Sequence, residues 1–273
     1  MTPMPPDAPK NADSPGLPLS AYLIALAGII RRELLRFFAQ KGRFFGALVR
    51  PLIWLLVFAA GFRAALGIAI MPPYQTYIPY DVYIIPGLVG MIQLFNGMQN
   101  SLSMVYDREM GSMRLLLTSP LPRWWLLICR LLAGVVVSMV QVAAFLAITA
   151  AWGITMPWEG YVLVFVALIP TGLMLGALGL LLSSRIKQLE NFAGVMNFVV
   201  FPLFFCSSAL YPLWKMRESS EILYYICLAS PFTHAVEALR FALYGQIHWL
   251  ALGWVSLATA VFLGLALVGY SSE

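Results

Sequence analysis

Residues 125–152 read WLLICRLLAGVVVSMVQVAAFLAITAAW, an apolar run in which Arg130 is the single charged side chain. A helix of that length rises about 40 Å, more than the roughly 30 Å hydrocarbon core of a membrane. The whole 273-residue chain has this character, because 61% of its residues are hydrophobic and 11% are charged. Such a composition excludes a single water-soluble domain and predicts an all-α polytopic membrane protein.

Six apolar runs are long enough to be transmembrane helices. They cover residues 47–66, 82–105, 125–152, 161–183, 192–212 and 248–270. An even number of spans places both termini on one side. If loops 106–124 and 184–190 share that side, thirteen of the seventeen Lys and Arg are cytoplasmic, as the positive-inside rule expects. The other four are Arg63, Lys215, Arg217 and Arg240.

This asymmetry predicts a multi-pass protein of the cell (inner) membrane, with both termini in the cytoplasm. The net charge of +5 is then a consequence of topology, and we expect membrane lipid rather than nucleic acid to surround the chain.

The first 46 residues divide into two parts. Residues 1–18 hold six of the eighteen prolines and little apolar surface, which predicts a disordered cytoplasmic tail. Residues 19–46 have helical periodicity with two unlike faces: Arg32, Arg36 and Arg43 against Ile30, Leu34, Phe37, Phe38 and Phe45. An Arg-rich amphipathic helix suits the membrane interface. The alternative is an ordinary start to the first span.

The apolar stretch 222–245 is interrupted by Ser230 and Pro231. Each half is too short to cross a membrane, while Ser230 can cap a second helix and Pro231 can occupy its first turn. We therefore predict a re-entrant helix pair on the outer face, within residues 213–247. Such a pair suits a gate, for which we select Pro231, Glu237 and Arg240. Glu237 and Arg240 are three residues apart and form either an ordinary surface pair or a latch.

Polar and aromatic side chains recur at helical spacing within two spans. The second span carries Gln93, Asn96 and Asn100, and the fifth carries Asn197, Phe201, Phe204 and Ser208 on one predicted face. Amides facing lipid would be costly, so these residues must face protein or water. Two interpretations remain: contacts between helices, and the lining of a translocation path.

Residue patterns that would indicate catalysis are missing from the sequence. It contains no G-x-x-x-x-G-K-[ST] loop, no H-E-x-x-H motif and no paired carboxylates within a span. Two histidines without clustered carboxylates or cysteines make a poor metal site. We therefore predict no catalytic residue and no metal site in this chain.

Residues 106–122 read YDREMGSMRLLLTSPLP, and residues 228–246 read LASPFTHAVEALRFALYGQ. The first segment resembles the coupling-helix region of the type-2 export permeases of ATP-binding-cassette (ABC) transporters. The second is similar to the Pro-containing segment before the last span of that family. The family often has an acidic residue after its Gly-Thr/Ser pair, whereas Gly111-Ser112-Met113 leads here to Arg114.

This resemblance implies a role for a water-facing loop at residues 106–122. A short helix there would dock an ATPase through six residues: Tyr106, Asp107, Arg108, Glu109, Gly111 and Arg114. A solvated loop without a docking role is the alternative.

The resemblance also implies that residues 47–273 are the six-span permease domain of an ATP-driven exporter. It would work as a homodimer with two cytosolic ABC ATPase subunits, which would use ATP and Mg while this chain binds no cofactor. The substrate would be amphiphilic, glycolipid- or saccharide-like, or hydrophobic. An ion-coupled secondary transporter or channel is the alternative, but the spans lack the buried acidic residues or lysines that ion coupling generally uses. A structural membrane anchor is a third possibility.

Overall fold

The computed structural model of the protein describes residues 18–62, 72–74, 78–110, 121–186 and 188–271. The helices of this part are α1 (Leu19–Ala39), α2 (Lys41–Phe62), α3 (Tyr80–Glu109), α4 (Arg123–Ala151), α5 (Trp158–Arg185), α6 (Leu189–Phe205), α7 (Leu213–Ser219), α8 (Glu221–Ala229), α9 (Pro231–Leu243) and α10 (Trp249–Ser271). The described residues form no extended strand, so the predicted all-α class is confirmed. Residues 1–17 of the predicted tail, and residues 63–66 with Arg63, lie outside the described part.

Proline marks the start of three long helices. Pro79 and Pro122 precede α3 and α4 in extended conformations, and Pro157 precedes α5 with φ −52° and ψ 140°. Each carbonyl accepts a hydrogen bond from the first turn of its helix, at 2.9–3.1 Å. Proline suits this position because its φ is fixed and it has no N–H group to leave unpaired. The sequence therefore sets these boundaries locally.

Three described helices are both long and apolar enough to cross a membrane: α4, α5 and α10. The pair α8–α9, bent by 74°, would be a fourth if it counts as one span. Helix α6 is apolar but shorter, and α3, with its buried amides, falls outside this set. The number of six spans therefore stays a prediction, although α2, α3, α4, α5, α6 and α10 lie where the six were predicted. That the α8–α9 pair is re-entrant also stays a prediction.

The amphipathic run 19–46 is divided between two helices. Helix α1 ends at Ala39, and Gln40 has non-helical backbone with φ −89° and ψ 74°. Arg43 and Phe45 therefore belong to α2 rather than to the predicted interfacial helix. The break follows from packing, because α1 lies mainly against α4 while α2 lies against α3. One continuous helix could not follow both partners.

The predicted span 192–212 was too long at its end. Helix α6 stops at Phe205, and residues 206–211 form a compact turn. The Ser207 hydroxyl donates to the Phe204 carbonyl and accepts from the Ala209 N–H. Serine side chains compete in this way with the helical hydrogen-bond ladder.

Helix α3 is the centre of the bundle. It packs against α2, α4, α5, α6 and α9, and every residue from Tyr83 to Met98 is buried. Its approach to α5 is close, because a Cβ added to Gly97 would lie 3.1 Å from the Gly176 nitrogen. Small residues permit such contacts between membrane helices. Helix α3 thus connects parts of the chain that are distant in sequence.

Candidate functional site

Tyr83, Ser208, Glu237 and Arg240 form what we call the Arg240 cluster, at the N-terminal end of α3. The Arg240 side chain is 0% exposed and forms an ion pair with Glu237, one turn earlier on α9. Its Nη2 donates to the Ser208 carbonyl oxygen at 2.7 Å, and its Cζ lies 4.3 Å from the centroid of the Tyr83 ring. The interpretation of Glu237 and Arg240 as an ordinary surface pair is therefore wrong.

The turn that follows α6 is held in place by this cluster. The Tyr83 hydroxyl donates to the Ser208 carbonyl at 3.0 Å, so that one carbonyl accepts from two donors. The Tyr80 hydroxyl donates to the Leu210 carbonyl at 2.9 Å. Gly87 of α3 has no room for a Cβ, which would lie 2.5 Å from the Ala209 oxygen. Helices α3 and α9 therefore hold residues 206–211 from two sides.

The bend between α8 and α9 has its own contacts. Pro231 occupies the first turn of α9, as predicted. Ser230 stands at the N-cap position, but its side chain makes no capping hydrogen bond. Instead, the Thr233 hydroxyl donates to the Cys227 carbonyl at 2.6 Å across the bend. The same carbonyl also accepts from the Ser230 backbone N–H at 3.3 Å, so the end of α8 is tied to the first turn of α9.

Two tyrosines outside the helices lie near the Arg240 cluster. The Tyr74 and Tyr244 rings meet edge to face at 4.7 Å, and the Tyr74 ring lies 6.4 Å from the Tyr83 ring. Burial raises the pKa of Tyr244 to about 12, and burial raises the pKa of Tyr74 well above its usual range. Both phenols are therefore neutral at physiological pH.

Asn100, Asp107 and Arg130 form what we call the Arg130 cluster, near the opposite end of α3. Arg130 of α4 forms an ion pair with Asp107 of α3. The Asn100 side chain donates to the Arg130 carbonyl at 3.0 Å. An ion pair and a hydrogen bond thus join α3 to α4 near the C-terminal end of α3.

The predicted coupling residues divide into exposed and inward-facing groups. Residues 106–109 form the last turn of α3 rather than a separate loop helix, and Tyr106 and Glu109 are exposed. Arg108 donates to the Ser183 carbonyl at 3.1 Å, and its Cζ lies 5.1 Å from the Tyr270 ring. Asp107 and Arg108 are therefore not the water-facing charges that the sequence suggested, because α4, α5 and α10 supply partners for them. Gly111 and Arg114 lie outside the described residues.

The buried amides of α3 bind neighbouring helices. Gln93 donates to the Leu168 carbonyl at 2.7 Å and accepts from the Thr171 hydroxyl at 2.8 Å, which joins α3 to α5. Asn96 donates to the Gly134 carbonyl of α4 at 2.6 Å. These bonds fit the first interpretation, contacts between helices. For Asn96, these bonds do not exclude the second interpretation, the lining of a translocation path, because Asn96 also lines a cavity.

The residues selected in the fifth span have different surroundings. Asn197 and Phe201 are exposed, whereas Phe204 is buried and contacts Trp54 at 5.7 Å and Phe232 at 6.2 Å between ring centroids. Ser208 lies beyond the helix. Asn197, Phe201 and Phe204 keep the spacing of one helical face, but Trp54 of α2 and Phe232 of α9 cover only Phe204, near the C-terminal end of α6. That these residues line a translocation path stays a prediction.

A cavity of about 150 Å³ lies between α2, α3 and α4. Its polar lining includes Arg50, Asn96, Gln99 and Gln141, and its apolar lining includes Phe95. Arg50, Gln99 and Gln141 are not among the translocation-path residues predicted from the sequence. One feature of the sequence could have indicated this polar lining: Gln141 lies within the apolar run of residues 131–148, one helical turn after Ser138.

Known proteins resemble this chain over most of its length. The family model described as "ABC-2 type transporter" matches residues 25–244, which include both arginine clusters and the cavity. The putative transport permease ycf38 of Cyanophora paradoxa is 26% identical over 231 residues, which cover 84% of this chain and 77% of that protein. The probable multidrug ABC transporter permease YbhR of Escherichia coli K12 is 29% identical over 170 residues, covering 61% of this chain and 45% of YbhR. The alignment thus spans less than half of YbhR.

Proposed function

Because the chain belongs to the ABC-2 type transporter family, and is thus a multi-pass transport permease subunit of an ABC transporter, we propose that it moves its substrate outward in an ATP-driven exporter. The substrate in this proposal is an amphiphilic, glycolipid- or saccharide-like, or hydrophobic compound. The chain acts as a transport subunit rather than an enzyme. ATP and Mg are used by a separate ATPase.

The observation that carries the proposal is the position of α3. This helix begins beside the Arg240 cluster and ends at the predicted coupling residues. Tyr83 and Asp107 are separated by about 36 Å along a helix that rises 1.5 Å per residue. Since its middle is buried on all sides, a displacement at one end is transmitted as rigid-body motion.

Docking in this proposal uses the exposed end of α3. Tyr106, Glu109 and Met110 are exposed there, and Gly111 and Arg114 follow in the sequence. Two cytosolic ABC ATPase subunits bind two permease copies at these surfaces. ATP-driven closure of the ATPases pushes on α3 and thereby on α4, which the Arg130 cluster attaches to it.

The Arg240 cluster and the bend at Pro231 form the outer gate in this proposal. In the predicted topology, both termini and the end of α3 at Glu109 face the cytoplasm, so the Arg240 cluster lies toward the outside. When α3 moves, Tyr83 moves relative to the Ser208 carbonyl. The turn at residues 206–211 is then released, and the substrate leaves.

The test is co-purification with a cytosolic ABC ATPase followed by transport in inverted membrane vesicles. We expect ATP-dependent accumulation of fluorescent lysophospholipids or alkyl glycosides inside these vesicles. Glu109→Lys should abolish ATPase recovery and accumulation at matched permease levels. The control is Glu218→Lys, an exposed charge reversal on α7 that should change neither. Accumulation driven by a proton or sodium gradient without ATP would instead support the ion-coupled alternative.

A further inference from the structure

Arg50 of α2 carries a charge that the described residues do not neutralise. Its Cζ lies 4.0 Å from the centroid of the Phe95 ring on α3. Within the described part of the chain, Arg50 has neither a hydrogen bond nor an ion pair, and the cavity lining there includes no Asp or Glu. The Phe95 ring stabilises the guanidinium through its face while the N–H donors remain available.

Gln141 of α4 presents an unpaired acceptor at the same cavity. Its side chain is 2% exposed, and its Oε1 has no hydrogen-bond partner among the described residues. A buried acceptor without a partner costs about 1–3 kcal/mol, and native proteins keep few of them. Asn96 cannot satisfy this oxygen with the amide hydrogen that it donates to the Gly134 carbonyl. The cavity thus combines a cationic donor with an acceptor that needs a partner.

The cavity also has an apolar side and a limited size. Met91 and Phe95 supply the apolar side, and Gly42 and Gly46 of α2 leave space at its edge. A volume of about 150 Å³ holds a phosphate or carboxylate group with some water, but not a whole lipid. The lining therefore fits the charged end of a molecule whose apolar part lies elsewhere.

We infer that this cavity binds the anionic head group of an amphiphile. The Arg50 guanidinium donates to two oxygens of a phosphate or carboxylate, a geometry that its planar fork favours. Gln99 donates to the same group, and Gln141 accepts from a hydroxyl or N–H next to it. This inference rests on the proposed function and narrows its substrate class to amphiphiles with an anionic group. Phospholipids of the surrounding bilayer offer the same chemistry, and the experiment separates the two sources.

The experiment measures binding to the purified full-length permease in phosphatidylcholine nanodiscs, without ATP. The probes are NBD-labelled lysophosphatidic acid and NBD-labelled lysophosphatidylcholine with the same acyl chain. We expect the anionic probe to bind about tenfold more tightly, since charge-assisted hydrogen bonds are the strong ones. Because ATP and partner are absent, a failure of ATP-driven export would leave this result unchanged.

Variants assign the binding to the cavity. Arg50→Gln should weaken binding of the anionic probe about tenfold and binding of the zwitterionic probe, whose phosphate charge is balanced by choline, much less. Gln141→Leu should weaken binding of the anionic probe about threefold. The charge-matched control is Arg185→Gln, at the exposed C-terminal end of α5. Arg50→Lys tests whether a loss of binding results from misfolding, because it keeps the charge and should retain part of the preference for the anionic probe. Equal binding by Arg50→Gln and Arg185→Gln, or equal affinity of the wild type for both probes, overturns the inference.

A second set of nanodiscs identifies the source of the head group. Phosphatidylglycerol nanodiscs surround the permease with an anionic phospholipid. Loss of the anionic probe there supports the site and assigns its occupant to the bilayer. Retention of the probe also supports the site, and assigns its occupant to a compound distinct from bulk lipid, as a transported substrate would be.

Discussion

Arg130 and Arg240 lie near opposite ends of α3, and each pairs with a carboxylate, but the two pairs are built differently. Arg130 and Asp107 belong to different helices, with side chains 8% and 17% exposed. Their ion pair therefore holds α4 to α3 directly. Arg240 and Glu237 are neighbours on α9, so their pair neutralises a buried charge without joining two helices. Arg240 is attached to other elements through the Ser208 carbonyl and the Tyr83 ring.

At the Arg130 cluster, one ion pair both joins two helices and neutralises the arginine. At the Arg240 cluster, different contacts serve these two purposes. At the Arg130 cluster, moving the helices apart also breaks the ion pair, which makes that attachment costly to release. At the Arg240 cluster, the contact with Ser208 can break while Glu237 continues to neutralise the arginine. The Arg240 end of α3 is therefore suited to rearrangement, and the Arg130 end to rigid transmission.

The largest effect is expected from Glu237→Gln. It leaves the fully buried Arg240 without a countercharge, which should lower the free energy of unfolding by about 3–5 kcal/mol. SDS titration of the purified permease in mixed micelles measures the change. The double variant Glu237→Gln with Arg240→Met should recover much of the loss, because it removes the buried charge as well. Equal destabilisation of the single and double variants would show that charge burial is not the cause.

A smaller loss is expected from Asp107→Asn at the Arg130 cluster. Removing a charge-assisted contact between α3 and α4 should cost about 1.5–3 kcal/mol in the same titration. A double-mutant cycle with Arg130→Met isolates the pair. Arg32→Gln, from the exposed pair with Glu33, serves as the control and should cost about 0–1 kcal/mol. A coupling energy between Asp107 and Arg130 no larger than the cost of Arg32→Gln would contradict the direct attachment.

The middle of α3 should be held by weaker bonds than its two ends. Gln93→Leu removes two hydrogen bonds to α5, and such bonds average about 0.6 kcal/mol each in membrane bundles. We therefore expect a loss of about 1 kcal/mol in the titration. A loss as large as that of Glu237→Gln would show that α3 is attached mainly at its centre rather than at its ends.

The smallest effect is expected from Tyr83→Phe. This change removes one donor to the Ser208 carbonyl but keeps the ring beside Arg240, so it should cost about 0.6 kcal/mol, the average for one hydrogen bond in membrane bundles. Tyr225→Phe, on the exposed face of α8, is the matched control and should be neutral. Tyr83→Leu should cost more, since it also removes the contact between ring and guanidinium. If Tyr83→Leu and Tyr83→Phe are equally stable, the ring contact contributes nothing.

The sequence was sufficient for those features that depend on local chemistry. Apolar length located the helices, and Ser230-Pro231 located the bend between α8 and α9. The breaks at Gln40 and after Phe205 depend on which neighbours each helix meets, and hydropathy does not record this. No periodicity distinguishes the end of a buried helix from the middle of one.

The arginine clusters show the same limit for the candidate site. The sequence does not show which of Asp107, Arg108 and Glu109 faces water. Asp107 and Arg108 face inward because α4 and α5 lie beside the end of α3. Arg240 is buried because Ser208 and Tyr83, distant in the chain, meet at α9. Arg108→Ala is consequently a poor test of docking, since it also removes contacts with Ser183 and Tyr270. Glu109 is exposed and gives a cleaner test.

The central claim is that α3 transmits the ATPase cycle to the Arg240 cluster. Electron paramagnetic resonance can test it through the distance between spin labels at Trp214 on α7 and Gln246 after α9, both exposed, with the native cysteines replaced by alanine. We expect the distance distribution to shift when the permease–ATPase complex is trapped with ATP and vanadate, and to remain unshifted with Glu109→Lys. An unchanged distribution after trapping, in a complex shown beforehand to transport substrate, would contradict the claim.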